Sequence, residues 1–493
     1  MELSSLNPEQ RQAVKTVDGP LLILAGAGTG KTRVITSRVA YMIAKDISPD
    51  SILAVTFTNK AAREMKERVR ELVPKFKSDC NGKIQKPTIC TFHSLCVRIL
   101  RRHIEKLGYK KNFVIYDQSE QLGVVRRLLS HISEKSKKPD PYVVLSLISR
   151  WRNSSADSLN SADADTAALA KHLIRTYEQT LKASNAVDFD DLILLVLQLF
   201  KEHPFALQEC RDRYRYIMVD EYQDTNSSQY LLVKQLVGMR ANFTVVGDDD
   251  QSIYAWRGAR PENLAILQAD FPSLKVIKLE QNYRSTKNIL ETASSLISNN
   301  ANRVGKKLWS AADQGEMVKL NCYRTGKEEA QGVSDIIEQK IKKKYSLNDV
   351  SILVRAIYQT REFEERFLQV GIGYRVLGGI KFYERAEIKD AVSYLRIINQ
   401  KFDDLALERV IGVPKRGVGD STLNQIYTFG KANKLCLEDS IIKLIEKGDF
   451  KPKIKTSLSQ LVNMIQKWRN DSLKMKHFDL LKLILDESGY SSI

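Results

Sequence analysis

The sequence predicts an α/β protein: a parallel β-sheet with helices on both faces and a glycine-rich loop at one strand end. Three observations predict it. Residues 25–32 read Ala-Gly-Ala-Gly-Thr-Gly-Lys-Thr and follow the apolar run Leu21-Leu22-Ile23-Leu24. Short apolar segments alternate with helical stretches through the first part of the chain, as in a parallel sheet. Polar, chemistry-bearing residues recur directly after those segments, where ligands of such sheets collect.

The first strand is expected at 21–25. It runs into the loop, which opens a helix at Lys31-Thr32-Arg33. Such a loop cradles the phosphates of a nucleoside triphosphate: bare backbone N–H groups wrap the anion, Lys31 adds a point charge, and the Thr32 hydroxyl holds Mg²⁺. The strict pattern has glycine where this chain has Ala25. A glycine-rich turn without a ligand is the alternative. Further strands are expected at 52–57, 88–92, 215–219, 243–247 and 276–279. Thr56-Phe57-Thr58 and Asp220-Glu221 lie at or just after strand ends, so they should converge on the loop.

Between about 93 and 213 helical patterns dominate, which reads as an insertion within the first core. Leu192 to Phe200 reads as a buried helix, and Asn153 to Asp165 as a polar surface connection. A second set of strands is expected at 318–322, 350–354 and 374–376, with helices between them. After Gly378-Gly379 the chain turns helical and lysine-rich, and no repeat is evident.

A length of 493 residues fits about three domains. With 77 Lys and Arg against 59 Asp and Glu, the net charge of +18 favours a polyanionic partner, most simply nucleic acid. A basic, well-solvated surface is the other reading. The cysteines at 80, 90, 96, 210, 322 and 436 form no C-x-x-C pair, which argues against a zinc or iron–sulfur site and fits a reducing compartment. The amino-terminal segment has no apolar signal core, and the longest apolar stretch is too short to span a bilayer. A cytoplasmic protein without membrane contact is expected.

Asp220-Glu221 end the strand Tyr216-Ile217-Met218-Val219. An acid here holds Mg²⁺ in phosphate-loop enzymes, and the adjacent glutamate orients and deprotonates the attacking water. Gly247-Asp248-Asp249-Asp250-Gln251 follows another strand, and the Gln251 amide is placed to read the γ-phosphate or its water. Tyr254, Trp256 and Arg257 bring aromatic faces and a cation together, suited to stacking on bases; a core Trp and Tyr is the alternative. In Gln281-Asn282-Tyr283-Arg284-Ser285, Arg284 is a candidate arginine finger or a surface ion pair.

These motifs together, in this order, resemble superfamily-1 DNA helicases of the UvrD/PcrA/Rep type over essentially the whole chain. Leu6-Asn7-Pro8-Glu9-Gln10 resembles the adenine-reading segment, with Gln10 as reader. Residues 25–33 (Ala25, Gly26, Ala27, Gly28, Thr29, Gly30, Lys31, Thr32, Arg33) resemble the ATP phosphate loop. Thr56 to Ala62 and Thr91-Phe92-His93-Ser94 resemble strand-tracking motifs. Val219 to Asp224 resembles the metal and general-base motif, and Gly247 to Gly258 the motif joining ATP to DNA. Gln281 to Ser285 resembles the motif supplying a base-stacking tyrosine, Tyr283, and an arginine finger, Arg284. The resemblance implies a RecA-like phosphate-loop core (1–90 and 214–280) with a helical insertion (91–213). It further implies the beginning of a second RecA-like core (281–377) with its own helical insertion (378–493). It implies catalysis by Lys31, Asp220, Glu221, Gln251 and Arg284, and Mg²⁺ held by Thr32 and Asp220. Single-stranded DNA would lie on Phe57, Thr58, His93, Phe189, Tyr254, Trp256 and Arg257; Phe189 could equally be core. Arg416-Gly417-Val418-Gly419-Asp420 resembles a hairpin that offers backbone N–H groups to duplex phosphates at DNA junctions.

Two departures stand out. After Leu353-Val354-Arg355 the family's Thr-Asn-Ala-Gln-like stretch is replaced by Ala356-Ile357-Tyr358-Gln359. The Thr-Leu-His-Ser-x-Lys-Gly-Leu-Glu-like motif and the second arginine finger of the returning second core do not occur. The implied activity is ATP-dependent 3′→5′ DNA unwinding. The competing expectation is a truncated, non-motor ATP- and DNA-binding module, or half of a motor whose remaining motifs come from a second chain. A phosphate-loop kinase or GTPase would not explain the aromatic cluster.

Overall fold

The computed structural model describes residues 3–76, 82, 84–130, 139–153, 164–255, 258–260, 262–300, 303, 305–377 and 385–492. Two compact units arise: Met1–Glu316 with Gln400–Leu405, and Met317–Asn399 with Ala406–Ile493.

The strands of the first unit are β1 (Leu21–Ala25), β2 (Ile52–Thr56), β3 (Thr88–Thr91), β4 (Val114–Ile115), β5 (Ala186–Val187), β6 (Tyr216–Val219), β7 (Phe243–Gly247), β8 (Lys275–Leu279), β9 (Gln281–Asn282) and β10 (Trp309–Ser310). Six form one sheet in the order β3-β2-β6-β7-β1-β8. Every pairing in it is parallel. The expected spans agree with these six strands to about a residue at each end. All five residues of β1 are buried, as a strand covered on both faces requires. Its side chains alternate. Leu21, Ile23 and Ala25 pack with helices α1 (Pro8–Lys15), α2 (Lys31–Ala44) and α3 (Asn59–Leu72). Leu22 and Leu24 pack on the opposite face with α4 (Phe92–His103) and the later helices α8 (Phe189–Glu202) and α10 (Ser227–Val237). Because the six strands run the same way, their carboxyl ends share one edge, and the chemistry-bearing turns leave from it.

Two sets of buried polar side chains secure elements of this unit. Arg38 of α2 is buried and donates to the carbonyls of Ala13, 2.7 Å, and Val17, 3.0 Å, so the end of α1 is tied to α2. Burial pushes its guanidinium down to about 10. At the start of α8, Asp188 and Asp191 form a reciprocal cap: Asp191 N–H donates to Asp188 Oδ1 at 2.7 Å, and Asp188 N–H to Asp191 Oδ2 at 3.0 Å. Arg152, at the end of α6 (Pro141–Asn153), donates to Asp188 at 2.8 Å and also binds Asp191. Tyr177 Oη donates to Asp188 Oδ2 at 2.9 Å. The expected buried helix is α8, with Leu192, Ile193, Leu195, Val196, Leu199 and Phe200 all inside. Residues 154–163, within the expected polar connection, lie outside the described residues.

The second unit departs from expectation. Helices α13 (Gly326–Lys342) and α14 (Thr360–Val370) form and pack through Ala330, Ile337, Phe363 and Phe367. The segments 318–322, 350–354 and 374–376, expected as strands, have no ladder partners among the described residues. Leu320 is 91% exposed and Leu353 92%. A parallel strand is held by neighbours on its hydrogen-bonding edges; apolar β-formers without such neighbours stay extended but unpaired. A separate helical core surrounds Tyr394, Ile426, Leu458, Ile465 and Trp468. Residues 413–419 join the helices Asp404–Gly412 and Asp420–Asn433, with Gly417 at φ +74°.

Truncating Arg152 to alanine leaves the Asp188 and Asp191 carboxylates buried without their cation. The expected cost is about 3–5 kcal/mol of stability, read as a lower urea midpoint, and Asp191→Asn in the same chain should recover part of it.

Candidate nucleotide and nucleic-acid site

The glycine-rich loop joins β1 to α2 at the carboxyl edge of the sheet. Gly28 and Gly30 adopt φ +69° and +87°, a region that side-chain-bearing residues rarely enter. Ala25 closes β1 as a fully buried strand residue paired with Leu279, so its methyl group is accommodated. Gly26 lies under Leu308, whose Cδ2 would be 2.2 Å from an added Cβ. Gln10 is almost fully buried and donates through Nε2 to the Thr29 carbonyl at 2.9 Å, while Asn7 and Gln10 cap α1 reciprocally. The carboxamide of Gln10 thus fastens the loop. Lys31 and Thr32 begin α2, and Arg33 is exposed.

Asp220 and Glu221 follow β6. Asp220 N–H donates to the Val55 carbonyl at 2.9 Å, which continues the pairing with β2. Glu221 has φ +51°, an uncommon conformation for a residue with a side chain. Its Oε2 accepts from Lys31 Nζ at 3.2 Å and from Gln223 Nε2 at 2.9 Å. Gln223 Oε1 in turn accepts from Asp248 N–H at 2.9 Å. Gln251 Nε2 donates to Asp248 Oδ2 at 2.5 Å. The phosphate loop is therefore linked to the turn after β7 through Lys31, Glu221, Gln223 and Asp248.

Burial pushes the Asp220 carboxyl up to about 7, with Glu221 raising it further and Lys31 offsetting part. Asp224 is pushed up to about 6 by burial and then by Glu221, and its Oδ1 is buried without a hydrogen-bond partner among the described residues. Crowded, desolvated carboxyls with an unpaired oxygen are a donor set that a divalent cation relieves. Mg²⁺ would suit this chemistry; Asp220 and the Thr32 hydroxyl are the candidates to hold it, and charge neutralisation is what it would supply.

The segment after β8 lies directly on the loop. Asn282, buried, donates through Nδ2 to the Ala27 carbonyl at 2.7 Å, and Tyr283 N–H to the Gly28 carbonyl at 2.9 Å. A Cβ on Gly28 would come within 2.6 Å of Asn282 Nδ2 and 2.7 Å of Arg284 Cβ. The Tyr283 ring is exposed; its hydroxyl donates to Gln281 Oε1 at 2.7 Å and accepts from Asn7 Nδ2 at 3.0 Å. Arg284 is exposed and has no ion pair among the described residues.

Two aromatic pairs occupy the same carboxyl edge. Phe57, after β2, stacks on Tyr254 with centroids 6.4 Å apart and planes 12° from parallel. His93, in the first turn after β3, meets Phe189 edge-on at 5.6 Å. Phe189 is half exposed, so it is a surface residue and not core. Burial lowers the His93 pKa and favours the neutral ring. Thr58 caps α3 by accepting from Ala61 N–H at 3.1 Å. Trp256 and Arg257 lie outside the described residues.

A model of the UvrD/REP helicase N-terminal domain matches residues 6–272, and one of the UvrD-like helicase C-terminal domain matches residues 277–481. The chain belongs to the UvrD/REP helicase family. It is 41% identical over 500 residues to DNA helicase II of Rickettsia typhi, covering 100% of this chain and 75% of that protein. It is 42% identical over 500 residues to the ATP-dependent DNA helicase PcrA of Bacillus subtilis, covering 99% of this chain and 66% of that protein. Among the described residues of this UvrD-type chain, no helix is long and apolar enough to cross a membrane.

Sequence reasoning gave no role to Asn7, Gln223 and Asn282. All three stand inside the quoted motifs and make local bonds, but the partners that join them to Tyr283, Asp248 and the loop lie 276, 25 and 255 positions away.

A cation at Asp220 requires the ionised carboxyl. The folded pKa is raised above the ordinary value near 4, so the ligand-free fold takes up a proton and gains stability as pH falls from about 7 towards 4, and cation binding runs the opposite way. Mg²⁺-dependent nucleotide affinity should be about tenfold weaker at about pH 6 than at about pH 8, measured by titration with a fluorescent nucleotide, and Asp220→Asn should remove that dependence.

Proposed function

We propose that this chain is an ATP-dependent 3′→5′ DNA helicase or translocase of the UvrD type, acting in DNA repair or replication in the cytoplasm. The observation that carries the reading is the hydrogen-bonded path from Lys31 through Glu221 and Gln223 to Asp248, on the turn leading to Gln251 and Tyr254. A motor must make a DNA contact depend on phosphate chemistry, and this path supports that reading by linking the proposed phosphate and strand residues. In this reading Lys31 binds the β- and γ-phosphates, and Thr32 and Asp220 hold Mg²⁺. Glu221 activates water, Gln251 senses the γ-phosphate, and Arg284 stabilises the transition state. Gln10 and Tyr283 hold adenine, and Phe57, Thr58, His93, Phe189, Tyr254, Trp256 and Arg257 track the strand. The loop 413–419 offers N–H groups to a duplex junction. The chain divides as 1–90 and 214–280, 91–213, 281–377, and 378–493.

One observation favours a second reading. The exposed apolar residues Met317, Val318, Leu320 and Leu353 belong to segments that a sheet would cover. In that reading this chain binds nucleotide and DNA through its first unit without motor activity, and a working motor takes its remaining strands from a second chain.

The test is turnover of ATP with and without single-stranded DNA, together with directional unwinding. The motor reading expects stimulated turnover and 3′→5′ polarity. Binding of both ligands without turnover rejects the motor for this chain and keeps the module. Lys31→Ala should weaken nucleotide binding about tenfold to a hundredfold, the worth of a charge-assisted contact; unchanged affinity would remove the phosphate loop from the account.

A further inference from the structure

The turn after β7 carries three successive carboxylates, Asp248, Asp249 and Asp250, with oxygens within 4.8 Å of one another. So close a set of like charges needs a cation. The protein supplies one. Lys306 Nζ lies 2.7 Å from Asp248 and 3.2 Å from Asp250, and is also bonded to Asp249. Its side chain is 1% exposed. Arg303 adds a bidentate pair to Asp250, at 2.7 and 2.8 Å. Asp250 is held below its ordinary pKa because Arg303 and Lys306 outweigh the burial that would raise it.

The geometry of Asp248 makes this more than a staple. One carboxylate oxygen accepts from Lys306, the other accepts from the Gln251 amide, and the backbone N–H donates to Gln223 Oε1. The orientation of Gln251 is thus set by a carboxylate whose other oxygen is held by a lysine from the segment between α12 (Lys287–Ile297) and β10. Tyr254 follows Gln251 by three residues and stacks on Phe57.

We propose that Lys306, supported by Arg303, is a positioning residue that serves as a built-in cation for the three-aspartate turn, aligning Gln251 and Tyr254 so that nucleotide turnover responds to the bound strand. The turnover part rests on the helicase reading above; the clasp itself does not. Removing the ammonium leaves three crowded carboxylates, and the turn opens. Arginine at the same position keeps the charge.

The experiment compares Lys306→Ala, Lys306→Arg and, as a control on the exposed neighbour, Lys307→Ala. In Lys306→Ala the kcat for ATP with single-stranded DNA should fall about tenfold while KM for ATP stays within about twofold. Lys306→Arg should recover most of the loss, and Lys307→Ala should match the unaltered chain. Full DNA stimulation in Lys306→Ala overturns the proposal, as does a rise in KM with no change in kcat. Should Lys306→Ala fail to fold, Asp250→Asn takes its place, and unchanged stimulation there overturns it equally. If the unaltered chain shows no DNA-stimulated turnover, the helicase reading falls. Amide hydrogen exchange over residues 249–255 then decides the clasp: faster exchange in Lys306→Ala than in Lys307→Ala upholds it, and equal exchange overturns it.

Discussion

The close approach of residues 281–285 to the phosphate loop is the constraint on which the rest of the first unit depends. Asn282 and Tyr283 bond the carbonyls of Ala27 and Gly28, and this leaves no room for a side chain at Gly28. The contact brings β8 and its following segment against β1. It sets Tyr283 beside Asn7 and sets the Arg284 Cβ against Gly28 of the loop. The left-handed conformation of Gly28 and the lack of a Cβ there serve the same packing demand. Gln10 approaches Gly30 in the same manner from α1. The loop is therefore braced from two directions by polar side chains whose hydrogen bonds are internal.

Of the six strands of the main sheet, β1, β2, β6 and β7 were legible as short, mostly apolar runs bounded by turn residues, while β3 and β8 mix β-branched and apolar residues with polar ones. In β1 and β2 every position is buried, so the pattern could be read without knowing the partners. The positions of the glycine-rich loop and the acid pair were legible for a related reason: each is a run of consecutive residues directly after an apolar strand. Phe189 was harder. A phenylalanine beside an apolar helix reads as core, yet the cap made by Asp188 and Asp191, clamped by Arg152, places it at the surface beside His93. The three strands expected in the second unit show the limit of local pattern. Val350 to Val354 has strong β-forming residues, but a strand exists only with neighbours, and pairing is a property of the whole sheet. The path through Gln223, and the clasp at Lys306, were illegible for the opposite reason: their residues are polar, and their meaning lies in contacts 25 and 57 positions apart.

Charge is distributed with the same economy. Arg152, Lys306 and Arg469 are cations largely withdrawn from water, and each faces at least one buried carboxylate: Asp188 and Asp191, the three-aspartate turn, and Glu438. Buried pairs of this kind contribute little net stability but are costly to break.

Lys31 and Glu221 stand 3.2 Å apart. An ammonium so placed is already quenched by an internal counter-ion, so the loop does not wait with a bare charge for any passing anion. In the reading proposed above, a triphosphate takes over this ammonium, so that the Glu221 carboxylate proposed to activate water is freed from its partner only as the phosphates arrive.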